Sequence, residues 1–111
     1  MSDDYLPGVY QQFLSRFPEV AEAQGSLARV IRETNPFDDR TDRLIKLAVA
    51  VGAEAEGAVR SNVRKALQHG ANLDEVRAVA LAAVTTRGFP AAIAALGWIE
   101  EVAAASAEPS H

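Results

Sequence analysis

Cysteine is absent from this chain of 111 residues, and that absence removes three kinds of chemistry at once. Without thiols the protein cannot form disulfides, bind a metal through thiolates or attack a substrate with sulfur. Histidine is scarce as well, with two residues in the whole chain. Few side chains are therefore available to transfer a proton near neutral pH.

The sequence also lacks basic runs and uninterrupted apolar runs. The formal net charge is −4, from 15 acidic and 11 basic residues, and no segment carries enough cations to neutralise several phosphates. We expect no nucleic-acid partner for this reason. Charged residues interrupt the apolar stretches, so we expect no membrane span. The acidic start, Met1 to Asp4, does not have the layout of a signal peptide and predicts a cytoplasmic protein.

What the chain does have is alanine, its most abundant residue and the strongest helix former. Hydrophobic types make up 49% of the residues, which is typical of a globular protein. The composition predicts an all-α, single-domain helical bundle of about six helices. We expect N-terminal helices packing on the core over residues 1–37, a core over 38–105 and a flexible tail over 106–111.

Local signals place the helix ends. Asp38 or Asp39 can cap the third helix, and Asn72 with Glu75 forms a capping box that opens the fifth. Gly70 occupies the position where a left-handed residue ends the fourth helix, which is predicted to run from about Glu54 to His69. The first helix is predicted over Tyr5–Arg16, and Pro18 suits the first turn of the second.

Two helices carry apolar residues that predict packing partners. The second has four residues that we expect to point toward a core: Val20, Leu27, Val30 and Ile31. The sixth, which follows the turn Gly88-Phe89-Pro90, is apolar in most directions through Ile93, Leu96, Trp98, Ile99 and Val102. Such a helix is usually buried on several sides, and in a small protein this predicts a subunit interface and a homo-oligomer.

The fourth helix carries polar residues close to its apolar stripe. At 100° per residue, Asn62 lies inside the stripe and Glu56 lies on its shoulder, one turn before Arg60. A buried amide or carboxylate must have its hydrogen bonds met. Either Asn62 bonds to a neighbouring helix end and Glu56 pairs with Arg60, or these residues line a pocket that holds a polar ligand.

No metal or cofactor site is predicted. His69 stands near a helix C-terminus, where a histidine commonly contacts the last carbonyls. No histidine or carboxylate pair has the spacing of a metal site, and no phosphate-binding or dinucleotide-binding motif occurs.

From Asp38 to Val102 the chain resembles the carboxymuconolactone decarboxylase family, which includes the alkylhydroperoxidase D-like proteins. The resemblance depends on four segments in order: Asp39 to Ala50, Val63 to Leu67, Gly70 to Val76 and Gly88 to Ala92. It implies an all-helical, alkylhydroperoxidase D-like fold and assembly as a trimer or hexamer.

The resemblance also identifies a lost redox motif. The family's peroxidase branch uses a glutamate, two cysteines and a histidine, which fall here at Arg43, Ala55, Ala58 and Asn62. A methyl group cannot attack an O–O bond, so thiol peroxidase activity by this route is excluded. Asn62 can donate a hydrogen bond, but it cannot transfer a proton as a histidine would.

Three functions remain open. In the first, the protein is a non-redox enzyme of decarboxylase or isomerase type, with Glu56 as general acid or base and Asn62 as oxyanion donor. Arg60 or Arg43 would then hold the carboxylate of a small carboxylated substrate. In the second, the same pocket binds a ligand or metal without turnover. In the third, the protein is a catalytically silent oligomeric scaffold.

Overall fold

The computed structural model describes residues 8–107, and all regular structure within that range is helical. Six helices follow in order: α1 (Gly8–Arg16), α2 (Pro18–Thr34), α3 (Asp39–Gly52), α4 (Glu56–Gln68), α5 (Leu73–Thr86) and α6 (Phe89–Ala107). The predicted all-α class and the helix number are confirmed. The predicted start at Tyr5 and the tail residues 108–111 lie outside the described range, and Ser106 and Ala107 continue α6.

Two compact units divide the chain between Pro36 and Phe37. The first consists of α1 and α2, joined at Phe17, whose ring lies 5.7 Å from the ring of Phe13. Pro18 stands in the first turn of α2 as predicted. None of the residues of α2 is buried, and the four that we expected to point toward a core expose about half of their surface. Two helices alone are too small a unit to enclose such a face.

The second unit is a bundle of α3 to α6. Helix α3 packs against α4, and α5 packs against α6. Helix α3 also contacts α5, and α4 also contacts α6. The largest fully buried side chains are Leu47, Ile99, Val51, Val59, Val63 and Val76. Alanine fills most of the remaining core positions, so the helices meet through short side chains. This unit contains all of the candidate site residues.

Three of the helix ends in the bundle follow the sequence signals. The Asp38 side chain accepts from the Thr41 N–H at 2.8 Å and caps α3. The capping box of Asn72 and Glu75 opens α5, and Gly70 ends α4 with a φ of 98°. The backbone N–H of Asn72, which donates to Glu75 Oε1, is the larger cause that lowers the pKa of the Glu75 carboxyl, and the hydrogen bond from Arg40 lowers it further.

Helix α6 departs from the sequence-based expectation in one respect. By length and composition its segment Phe89–Ser106 is apolar enough to cross a membrane, although charge was expected to interrupt every such stretch. Glu100 and Glu101 lie near the end of this segment and are paired with Arg77 and Arg60 of the same bundle. Its residues Ala92, Ala95 and Ile99 are almost completely buried in the core.

The buried position of Leu47 gives a stability prediction. Replacing Leu47, which is 0% exposed, with alanine leaves a cavity in the bundle core, and we expect a loss of about 2–5 kcal/mol in the free energy of unfolding. The matched variant Leu81→Ala removes the same atoms from a side chain that is 55% exposed, and should change stability by about 0.5 kcal/mol or less. Chemical denaturation measures both; equal losses would contradict the assigned core.

Candidate functional site

An open cavity of about 360 Å³ lies beside the start of α4, where α3, the α3–α4 loop and α4 meet. Seven residues line it: Lys46, Val49, Ala50, Ala53, Ala55, Ala58 and Asn62. Five of them are aliphatic, and Lys46 and Asn62 supply the polar atoms. Val49 is 68% exposed, so the cavity opens to solvent along the outer side of α3.

Lys46 stands at the edge of the cavity as part of an ion pair. Its Nζ lies 2.9 Å from Oδ2 of Asp42, one turn earlier on α3. Asp42 is buried, whereas the Lys46 side chain keeps 39% of its surface exposed. The buried carboxylate therefore holds the ammonium itself, and the lysine side chain remains partly exposed at the edge of the cavity.

Asn62 lines the cavity from α4, but its hydrogen bond differs from the prediction. The side-chain Nδ2 donates to the Ala58 carbonyl of the same helix at 2.9 Å, not to a neighbouring helix end. An amide nitrogen carries two N–H groups, so one of them remains for another acceptor. Asn62 can still present a donor to a ligand.

Ala55 and Ala58 form the part of the cavity at the first turn of α4. Ala55 occupies the N-cap position, and it has no side chain that could accept from the N–H groups of that turn. A helix N-terminus without a side-chain cap carries partial positive charge and donors for an anion. The start of α4 therefore offers backbone donors beside the ammonium of Lys46, which is paired with Asp42, while Glu56 places a carboxylate in the same first turn.

Glu56 and Arg60 are paired as predicted, and they do not line the cavity. Arg60 Nε donates to Glu56 Oε2 at 3.0 Å, and its Nη2 donates to Oε1 of Glu101 on α6 at 2.5 Å. These two carboxylates raise the pKa of the Arg60 guanidinium, with the Glu101 hydrogen bond as the larger cause. The structure thus joins Glu56 and Arg60 in a network between α4 and α6.

Arg43 also lies outside the cavity lining, in a group of cations shared by α3 and α4. Burial lowers the pKa of the Lys65 ammonium, and the charges of Arg43 and Lys46 lower it further. Arg43 is half-buried on α3, one turn before Lys46. Of the candidate site residues, only Asn62 and the two alanines at the cysteine positions meet at the cavity.

His69 has the contact that its position predicted. Its Nδ1 lies 2.8 Å from the Lys65 carbonyl oxygen in the last turn of α4. Across residues 8–107, no three histidine, aspartate or glutamate side chains are grouped so that they could hold a metal ion.

The loop between α3 and α4 ends α3 in an uncommon way. The Ala55 N–H donates to the Ala50 carbonyl at 3.1 Å and the Glu54 N–H to Val51 at 3.0 Å, which is the Schellman pattern of a helix end. The left-handed position of this pattern is usually glycine, but here it is Glu54, with a φ of 55°. A residue with a Cβ in this conformation costs about 1–2 kcal/mol.

Comparison with known proteins matches residues 18–101 to the sequence model of the carboxymuconolactone decarboxylase family. The chain belongs to this family. An uncharacterized protein of Methanocaldococcus jannaschii is 31% identical over 86 residues, which cover 78% of this chain and 80% of that protein. The match extends through α2 to α6, beyond the segment from Asp38 on which the resemblance was first noted.

Within the carboxymuconolactone decarboxylase family, this member has methyl groups where the peroxidase branch is expected to have thiols. Ala55, Ala58 and Asn62 lie together on the cavity, whereas Arg43 lies away from it. Sequence reasoning missed Lys46. Its spacing from three other lining residues, Val49, Ala50 and Ala53, follows one face of a helix and could have identified it.

The absence of native cysteine allows a direct test of the cavity's exposure. In the single variant Ala58→Cys we expect a thiol that reacts with an aromatic disulfide reagent as fast as a free thiol, because position 58 is exposed. Ala66→Cys, on the same helix at a residue that is 0% exposed, should react about a hundredfold more slowly. Equal rates in the folded protein would contradict the open cavity.

Proposed function

We propose that this protein is a non-redox member of the family that binds a small, largely apolar carboxylated molecule in the cavity at the start of α4. The observation that carries the proposal is the position of Lys46, a partly exposed cation paired with Asp42, on a mostly aliphatic cavity at the positions where the resemblance places the family's redox motif. A carboxylate that enters this cavity meets the ammonium and the N–H groups of the first α4 turn. The methyl groups receive the apolar part of the ligand.

Proton-transfer chemistry of decarboxylase or isomerase type is the reaction that we propose for this site. Lys46 would stabilise the negative charge that develops on an enolate or carboxylate, and the second N–H of Asn62 would donate to the same oxygen. Asp42, which is paired with Lys46, would hold the ammonium in place. Glu56 is half exposed, is paired with Arg60 and does not line the cavity. It is therefore poorly placed to act as the acid or base of this reaction.

Binding of benzoate, an apolar monocarboxylate, tests the proposed site. We expect benzoate at millimolar concentration to raise the melting temperature, because a ligand of the native state stabilises it by mass action. Benzamide, which has the same ring without the charge, should give a smaller shift. Lys46→Met should abolish the benzoate shift, and Asn62→Ala should weaken it.

Glu56→Gln provides the matched comparison on the same helix. Because Glu56 contacts Arg60 and does not line the cavity, this variant should retain the benzoate shift. A benzoate shift that survives in Lys46→Met would place the ligand elsewhere. No shift in the unmodified protein, with benzoate or with a small lactone acid, would overturn the proposal.

The alternative, a silent oligomeric relative that acts as a scaffold, has support from α6. The side chain of Phe89 is 63% exposed and that of Ile93 is 49% exposed. Phe89, Ile93 and Gly97 are spaced four residues apart along the helix. They form an apolar stripe on the side of α6 away from its buried alanines. We propose that this stripe contacts a second copy of the chain in a homo-oligomer, a trimer or hexamer as the family resemblance implies.

Ile93→Asp tests the proposed assembly. A buried, unpaired carboxylate in the contact should dissociate the oligomer into monomers, as measured by light scattering. Ala105→Asp adds the same charge to an exposed α6 position on another side of the helix and should leave the mass unchanged. An Ile93→Asp variant that keeps the oligomeric mass would exclude this stripe as the contact.

A further inference from the structure

Arg87 connects the end of α5 to the loop that forms one wall of the cavity. Its Nη2 lies 2.6 Å from Oε2 of Glu54, and its Nε donates to the Gly52 carbonyl at 2.9 Å. Gly52 is the last residue of α3, and Ala53 and Ala55, on either side of Glu54, line the cavity. One guanidinium therefore holds the last backbone carbonyl of α3 and the Glu54 side chain of the loop.

The residue at position 54 is unusual for its backbone conformation, and its side chain forms the ion pair with Arg87. Three helices of the bundle end with a left-handed residue, and α4 and α5 use Gly70 and Gly88 for it. At the end of α3 the chain uses glutamate, which is strained in this conformation. The Glu54 carboxylate contacts Arg87, so the strained residue supplies the group that attaches the loop to α5.

Arg87 also supplies a charge that α3 itself lacks. The last turn of α3 contains no basic residue, although the carbonyls of a helix C-terminus favour a nearby cation. The Arg87 hydrogen bond to Gly52 satisfies one of these carbonyls from 35 positions away in the chain. The end of α3 and the loop that follows it are thus attached to the end of α5 by one side chain.

We propose that Arg87 is a positioning residue for the cavity. Through Glu54 and the Gly52 carbonyl it keeps the α3–α4 loop closed against α5, and so fixes Ala53, Ala55 and the N-terminus of α4 where the ligand binds. The consequence for ligand binding rests on the proposed function. The effect on the loop does not, because it follows from contacts within the unliganded protein.

Amide hydrogen exchange, measured by NMR without ligand, tests the loop itself. In Arg87→Met, which keeps the aliphatic stem and removes the donors, we expect the Glu54 and Ala55 amides to exchange about tenfold faster, with α6 amides unchanged. Arg87→Lys should restore part of the protection. Arg29→Met breaks an exposed ion pair of α2 and should leave the loop amides unchanged. Unchanged loop exchange in folded Arg87→Met would overturn the proposal.

Glu54→Gly separates positioning from simple helix capping, and it should fold because glycine suits the left-handed conformation. If residue 54 only ends the helix, glycine strengthens the turn and the Ala55 amide exchanges more slowly. If the ion pair with Arg87 holds the loop, the Ala55 amide exchanges faster, although glycine fits the left-handed backbone better. We expect this second result. Slower exchange would overturn the proposal.

Benzoate titration supplies the ligand-binding readout. Arg87→Met should weaken benzoate binding about three- to tenfold, although Arg87 does not line the cavity, because a mobile loop must be ordered again on binding. If Arg87→Met binds benzoate with unchanged affinity, Arg87 does not position the cavity for its ligand. If the unmodified protein does not bind benzoate, the proposed function fails, and the exchange measurements decide the role of Arg87 by themselves.

Discussion

Close packing of short side chains is the constraint on which the rest of this structure depends. The bundle core is built mainly from alanine and valine, with Leu47 and Ile99 as the large buried residues. Small side chains let helix axes approach, and little side-chain rotamer entropy is lost when they are buried. The short loop between α3 and α4 lines a cavity that is open to solvent.

The chemistry of the cavity follows from its composition. A chain without thiols cannot perform thiol chemistry at the positions where the resemblance places the redox motif, and the methyl groups of Ala55 and Ala58 leave an apolar surface beside a helix N-terminus. Lys46, paired with Asp42, is a partly exposed cation at the edge of that surface. We propose that the cavity recognises a carboxylate, whereas Glu56 and Arg60 connect α4 to α6 through Glu101.

Most of the helix ends in the bundle could be predicted from residues near them in the sequence. The capping box at Asn72, the cap at Asp38 and the left-handed Gly70 were all predictable, because each acts within a few residues of the chain. The predicted start of α4 at Glu54 was wrong, since α4 begins at Glu56 and Glu54 adopts a left-handed conformation. Glutamate carries no local preference for that conformation, and its ion-pair partner, Arg87, is distant in sequence.

The amino-acid sequence by itself determined the helical class, the family and the absence of thiol chemistry, because composition, short-range caps and an ordered set of motifs are properties of the linear chain. It also predicted the Glu56–Arg60 pair, which spans one turn of one helix. Only the tertiary structure decided that Lys46 reaches the cavity while Arg43 and Glu56 do not, and that Arg87 attaches the α3–α4 loop. These contacts depend on how separate helices are rotated and packed against each other, which no local pattern of residues specifies.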